Sequence, residues 1–141
     1  MTTSTPLAAA PSKALHIGLW VVQILLTVAF LASGFSKLAT PASQLATMMA
    51  WTTSVPLGLV RFIGLMEVLG ALGVLLPSLT RIRPSLTPLA AAGLVAVMVL
   101  AAVFHLLRGE IGNLLPALVL GALAGFVAWG RSRRAPISPK A

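Results

Sequence analysis

The chain has no cysteine, no tyrosine and only two acidic residues, Glu67 and Glu110, in 141 positions. Without thiols there can be no disulfide, thiolate nucleophile, iron–sulfur cluster or zinc knuckle. Two acids leave almost no material for paired-carboxylate catalysis, and with His16 and His105 they are the only side chains suited to a metal, so metal binding is constrained and no metal site is assigned. Charge itself is scarce: ten Lys and Arg against those two acids give +8, yet only 9% of residues are charged. Apolar residues fill the space, at 58% of the chain with a mean hydropathy of +1.02. A water-soluble domain does not have this composition, so the sequence places the protein in a bilayer.

A bilayer core requires about 20 helical residues per crossing, because backbone polar groups must be satisfied within the segment. Four segments qualify, at residues 15–35, 57–76, 88–107 and 111–129. The expected architecture is all-α, a membrane-spanning four-helix bundle with both termini on one side. Residues 1–14 form a flexible N-terminal segment, 15–130 the membrane domain and 131–141 a basic tail. Pro77, Pro84 and Pro88 are expected to punctuate the second connection, with Thr87 capping the third span. Phe30 at the minus-three position of the best cleavage site argues against reading the first span as a removed signal.

Placing the termini in the cytoplasm puts Lys13, Arg81, Arg83, Arg131, Arg133, Arg134 and Lys140 on that side, against Lys37 and Arg108 in the outer loops. The positive-inside rule therefore favours an orientation with both termini in the cytoplasm. The tail cluster reads as a topology anchor touching anionic lipid, and no nucleic-acid partner is expected. The first outer loop carries a helical pattern after Thr40 and Pro41, with Ala42, Leu45, Met48 and Met49 on one face. It reads as an interfacial cap, with Trp51 as an aromatic anchor, more readily than as a mobile lid.

Ionisable groups inside spans are costly and usually face the protein interior. Glu67, near the middle of the second span, lies between Gly64 and Gly70 at i−3 and i+3, a small-residue face that a neighbouring helix can approach. Gln23, Thr27, Phe30, Gly34 and Lys37 make one stripe on the first span that should point inward. Gln23 and Thr27 suit interhelical hydrogen bonding better than ligand contact. Arg61 is either a snorkelling anchor or an anion contact, and Lys37 an anchor or a cation aimed at a site. His105 ends the third span on an alanine face and can bond to a carbonyl, pair with Glu67, relay protons or bind a metal. Threading the helices up and down gathers Lys37, Arg61, His105, Arg108, Glu110 and Asn113 in the outer third with Glu67 beneath, which suggests a cavity open to that side. Gly121 and Gly125 form a GxxxG that serves either packing within the bundle or a homodimer.

The segments Gly34-Phe35-Ser36-Lys37-Leu38, Glu67 to Gly73, Leu86 to Gly93 and Phe104-His105-Leu106-Leu107-Arg108-Gly109-Glu110 resemble the DoxX-like family of small bacterial membrane proteins. The resemblance runs from the first span to Gly130-Arg131. It implies a four-helix membrane bundle and carries over Lys37, Glu67 and His105 as recurrent polar positions. Relatives include the membrane subunit of a thiosulfate:quinone oxidoreductase and partners of membrane oxidoreductase complexes, so it also implies a quinone-linked or thiol-redox setting. Here no cysteine, haem-ligand pair or nucleotide motif supports a self-sufficient redox enzyme.

Two readings follow. In the first, a redox-associated subunit binds a quinone or similar lipophile, with Glu67 and His105 handling protons and Lys37, Arg61, Gln23, Thr27 and Asn113 as ligand-binding candidates, beside an oxidoreductase partner. In the second, the same residues order a non-enzymatic binding, transport or scaffold protein.

Overall fold

The computed structural model describes residues 12–141; the segment expected to be flexible lies outside the described residues up to position 11, and its end is already helical. Ser12 caps helix α1 (Lys13–Ala39), its hydroxyl accepting from the Leu15 N–H at 3.0 Å. A short α2 (Ala42–Met48) and a 3₁₀ turn (Ala50–Ser54) follow, then α3 (Leu57–Thr80), α4 (Leu86–Leu107) and α5 (Ile111–Trp129). A single π-type turn, Gly130–Arg134, extends α5 into the tail. Each long helix is apolar enough to cross a membrane. Their up-and-down order puts Lys13, the α3–α4 connection and the tail at one end, the terminal pole, and α2, the 3₁₀ turn and the α4–α5 turn at the other, the far pole.

The inward faces repeat at helical spacing. On α1 the buried set is Leu19, Gln23, Leu26, Thr27, Phe30, Gly34 and Lys37, which contains the whole polar stripe seen in the sequence. Val60, Gly64, Glu67, Ala71 and Val74 do the same on α3, and Thr87, Ala91, Leu94, Met98 and His105 on α4. Leucine, valine and phenylalanine cover the opposite faces, among them Leu25, Val28, Leu69, Leu100 and Leu118, as a lipid-facing belt requires.

Helix α1 packs along α3 and α4 along α5, and contacts of α3 with α4 and of α1 with α5 close the bundle. The α1–α3 approach depends on two glycines: a Cβ on Gly34 would lie 2.6 Å from the Gly64 carbonyl oxygen, and one on Gly64 would lie 2.7 Å from Lys37 Cβ. Of the two roles open to the GxxxG of α5, the structure shows the one within the bundle, since Gly121 faces Met98 and Gly125 faces Val95 on α4.

Several local expectations are corrected. Pro77 does not end the second span; it lies inside α3, which continues to Thr80 and stops at Arg81 in a left-handed conformation with φ 60°. A proline lacks one hydrogen bond but need not break a helix held by its neighbours. Ser85 takes the N-cap position of α4, and Thr87 is instead buried in its first turn. Within α2 only Leu45 is buried, while Ala42 and Met48 are exposed and Met49 has left the helix.

Candidate functional site

The first polar cluster ties the helices together in the terminal half. Gln23 donates to the Val74 carbonyl at 2.8 Å and to Ser78 Oγ at 3.2 Å, and Ser78 shares a 2.7 Å hydrogen bond with Thr87. Thr27 Oγ1 donates to the Gln23 carbonyl at 2.7 Å. Arg131, read from the sequence as a lipid-facing anchor, is buried: Nε donates to Gln23 Oε1 at 2.7 Å and Nη1 to the Ala135 carbonyl at 2.9 Å. The guanidinium also lies 5.2 Å from the Trp20 ring centroid, so an aromatic face and carbonyl dipoles take the place of an acid. Nη2 finds no partner among the described residues. His16 is drawn into the same cluster, with Nε2 accepting from Trp20 Nε1 at 3.1 Å and Nδ1 at 3.0 Å from Arg131 Nη1. A neutral imidazole accepts at one nitrogen only, so these two donors compete. The tail folds back as well, with Arg81 Nε donating to the Ser138 carbonyl at 2.8 Å.

The second cluster is a cavity of about 510 Å³ in the far half, within the range of small-molecule sites, roughly 300–1,000 Å³. Phe30, Met66, Val97, Met98, Ala117 and Leu120 form much of its apolar wall. Three lining residues, Leu59, Phe62 and Leu100, are also 45%, 56% and 71% exposed on the outer surface. The cavity therefore meets the lipid-facing surface where α3 and α4 supply its walls.

Its polar side begins with a buried ion pair. Lys37 Nζ lies 2.9 Å from Glu67 Oε2 and 3.2 Å from Oε1, and both side chains are nearly inaccessible to water. Ser33, one turn before Lys37, accepts from the ammonium at 2.5 Å and donates to Glu67 Oε2 at 3.0 Å. The carboxylate thus receives a charged and a neutral donor, which a buried acid requires. Trp51 covers this group, with its ring centroid 6.0 Å from Lys37 Nζ. It stands edge-to-face with Phe104 at 6.0 Å and with His105 at 6.2 Å. Trp51 is therefore a wall of the cavity as well as an aromatic residue at the rim, a position its place in the loop did not reveal.

His105 also lines the cavity, and its Nδ1 lies 2.6 Å from Glu110 Oε2. Arg108 Nε donates to the other Glu110 oxygen at 2.7 Å. The hydrogen bond from His105, followed by that from Arg108, holds the Glu110 carboxyl below its ordinary range. Gly109 makes this short α4–α5 turn possible at φ 70°, a conformation that costs glycine little.

Of the seven site candidates, Lys37, Glu67 and His105 come together on the cavity wall. Arg61 does not: its Nη1 donates to the carbonyls of Lys37 at 2.6 Å and Thr40 at 2.7 Å, closing the C-terminal end of α1. Gln23 and Thr27 belong to the terminal-half network, and Asn113 is exposed outside the cavity. Sequence reasoning missed Ser33, whose i−4 spacing from Lys37 was the available signal, and gave no site role to Glu110.

No curated protein and no solved structure matches the chain significantly. A family model does, however, over residues 21–127, which takes in both polar clusters except Arg131, His16, Trp20 and the tail. With four apolar helices and a match that reaches all of them, the chain belongs to the DoxX-like family.

Proposed function

We propose that this DoxX-like membrane protein is a redox-associated subunit or accessory protein that holds a quinone or a related lipophilic molecule in the far-half cavity. The observation that carries the reading is one cavity with apolar walls, a lipid-facing margin and a single polar side formed by Lys37, Ser33, Glu67, Trp51 and His105. An amphiphile with one oxygen-bearing ring and an apolar tail fits that division: the ring beside the polar groups, the tail between the α3 and α4 walls. A bound quinone would supply reversible two-electron chemistry that the amino acids lack. The chain's own part is to bind the ring, exclude water and hold protons at Glu67 and His105. Electrons would pass to or from an oxidoreductase partner.

The orientation that fits best keeps the termini in the cytoplasm of an inner-membrane protein. Lys13, Arg81, Arg83, Arg133, Arg134 and Lys140 are exposed at the terminal pole, whereas the far pole exposes Arg108, already paired with Glu110. Native mass spectrometry of detergent-purified protein, with released molecules identified, tests the reading. A stoichiometric quinone or other prenylated ring supports it, and a chain that repeatedly flies without cargo from quinone-replete membranes overturns it.

The mutual satisfaction of Lys37, Glu67 and Ser33 favours a second reading, in which this triad orders α1 against α3 in a non-enzymatic binding, transport or scaffold protein. Glu67→Gln, in protein shown to remain folded, separates the two: partner-dependent quinone reduction is lost under the first, whereas no quinone-dependent activity changes under the second.

A further inference from the structure

We propose that Glu110 is a positioning residue that turns His105 into a proton acceptor directed at the cavity, so that the bound amphiphile is one with an acidic hydroxyl, such as a phenol or hydroquinone. This deepens the reading of the cavity as a ligand site and rests on it.

The argument begins with the shared hydrogen. Glu110, ionised, can only accept, so the 2.6 Å contact to His105 Nδ1 requires the proton to reside on that nitrogen. In the neutral ring the lone pair is then on Nε2, which has no partner among the described residues. His105 is itself buried and lines the cavity, so the ring bridges a surface carboxylate and the ligand space. Its orientation is constrained from three sides. Phe104 stands edge-to-face at 5.3 Å, Trp51 at 6.2 Å, and Arg108 fixes the carboxylate through its second oxygen. A carboxylate behind an imidazole fixes its tautomer and stabilises the imidazolium that forms when the far nitrogen takes a proton.

The step is a proton transfer. The ligand O–H bond breaks, its proton forms a bond to His105 Nε2, and the electron pair remains on the ligand oxygen. The products are an oxyanion and an imidazolium held by Glu110, with no electron acceptor required. The charged groups around the imidazole are Glu110 and Arg108 in its own turn, and Lys37 and Glu67 on the α1 and α3 walls. Lys37 and Glu67 neutralise each other, so the carboxylate of Glu110 behind His105 is what favours transfer of the ligand proton to the ring.

Two measurements on the full chain in lipid nanodiscs test this. Nitrogen-15 NMR of labelled histidine, with His105 assigned by His105→Gln, reads the tautomer without any ligand. The expected result is an Nδ1–H ring in the wild type and loss of that preference in Glu110→Gln, while Glu110→Asp retains part of it. A para-nitrophenol bearing an alkyl chain reports the proton transfer by its phenolate absorbance. Bound to the wild type it should ionise about one pH unit lower, a tenfold change, than when bound to His105→Gln, with Glu110→Gln between them. An unchanged tautomer and an unchanged probe titration in Glu110→Gln would overturn the positioning role even if the probe binds. Failure of the probe to bind the wild type while the tautomer behaves as expected would instead overturn the ligand reading and with it the hydroxyl class.

Discussion

Replacing Lys37 by Met, Glu67 by Leu, and then both together should give strongly non-additive losses of stability. At 2.9 Å, and with an effective dielectric constant of about 20, the gross attraction of the pair is on the order of 6 kcal/mol. Desolvating two ions offsets most of that attraction, so the net contribution of the pair is small. Removing one partner is different because the survivor remains in an apolar surrounding. Lys37→Met leaves Glu67 with Ser33 as its donor, and Glu67→Leu leaves Lys37 with the Ser33 hydroxyl alone. Each single change should cost about 3–5 kcal/mol, whereas the double change should lie within about 1–2 kcal/mol of the wild type. Equilibrium unfolding in mixed micelles, followed by the combined fluorescence of Trp20, Trp51 and Trp129, measures all four corners of the cycle. Singles that each cost less than about 1 kcal/mol and sum to the double would refute the coupling on which the polar side of the cavity is built.

A side chain at the α1–α3 contact should be poorly tolerated: Gly34→Val must displace the Gly64 carbonyl or Val68, with an expected loss of about 1–3 kcal/mol in the same unfolding assay, and Gly18→Val, where nothing lies within 4 Å, serves as the tolerated control. Arg131→Met should cost about 1–3 kcal/mol by leaving Gln23 Oε1 and the Ala135 carbonyl without their donor, and trypsin should then cut the tail faster at Arg133 and Arg134. Because the folded-state pKa of Glu110 is lowered, its pairing stabilises the far-pole turn above the unfolded carboxyl range and is lost as pH falls through the folded value. Hydrogen-exchange protection across residues 105–112, taken relative to the intrinsic rate at each pH, should accordingly fall in acid in the wild type, and Glu110→Gln should remove that acid dependence.

Periodicity made much of this architecture legible. The α1 stripe from Gln23 to Lys37 is buried at the spacing its sequence required, the burial of Glu67 followed from the cost of an acid in lipid, and α5 runs over the residues its hydropathy marked. Those signals are one-dimensional: they fix a face and a depth, not the reach of a long side chain. Arg61 sits near the rim, as expected, yet curls onto the last carbonyls of α1. Arg131 follows a span as a topology anchor would, but the tail turns it inward to Gln23, a partner far away in sequence. Trp51 and Asn113 show the same limit in opposite directions: both belong to the far pole, and only the path of the connection decides that one roofs the cavity and the other faces outward. Ser33 offered only its i−4 spacing from Lys37, and became meaningful once the fold set both beside Glu67.

The lacing of Gln23, Ser78, Thr87 and Arg131 joins α1, α3, α4 and the segment after α5 in the same half of the molecule, while the space for a guest lies in the other half. Such lacing should hold the two helix pairs together like the hinge of a pair of tweezers, at the end away from the guest. A bulkier guest would be accommodated by spreading the α4–α5 arm from the α1–α3 arm, with Trp51 and the α4–α5 turn travelling farthest and the hinge scarcely moving.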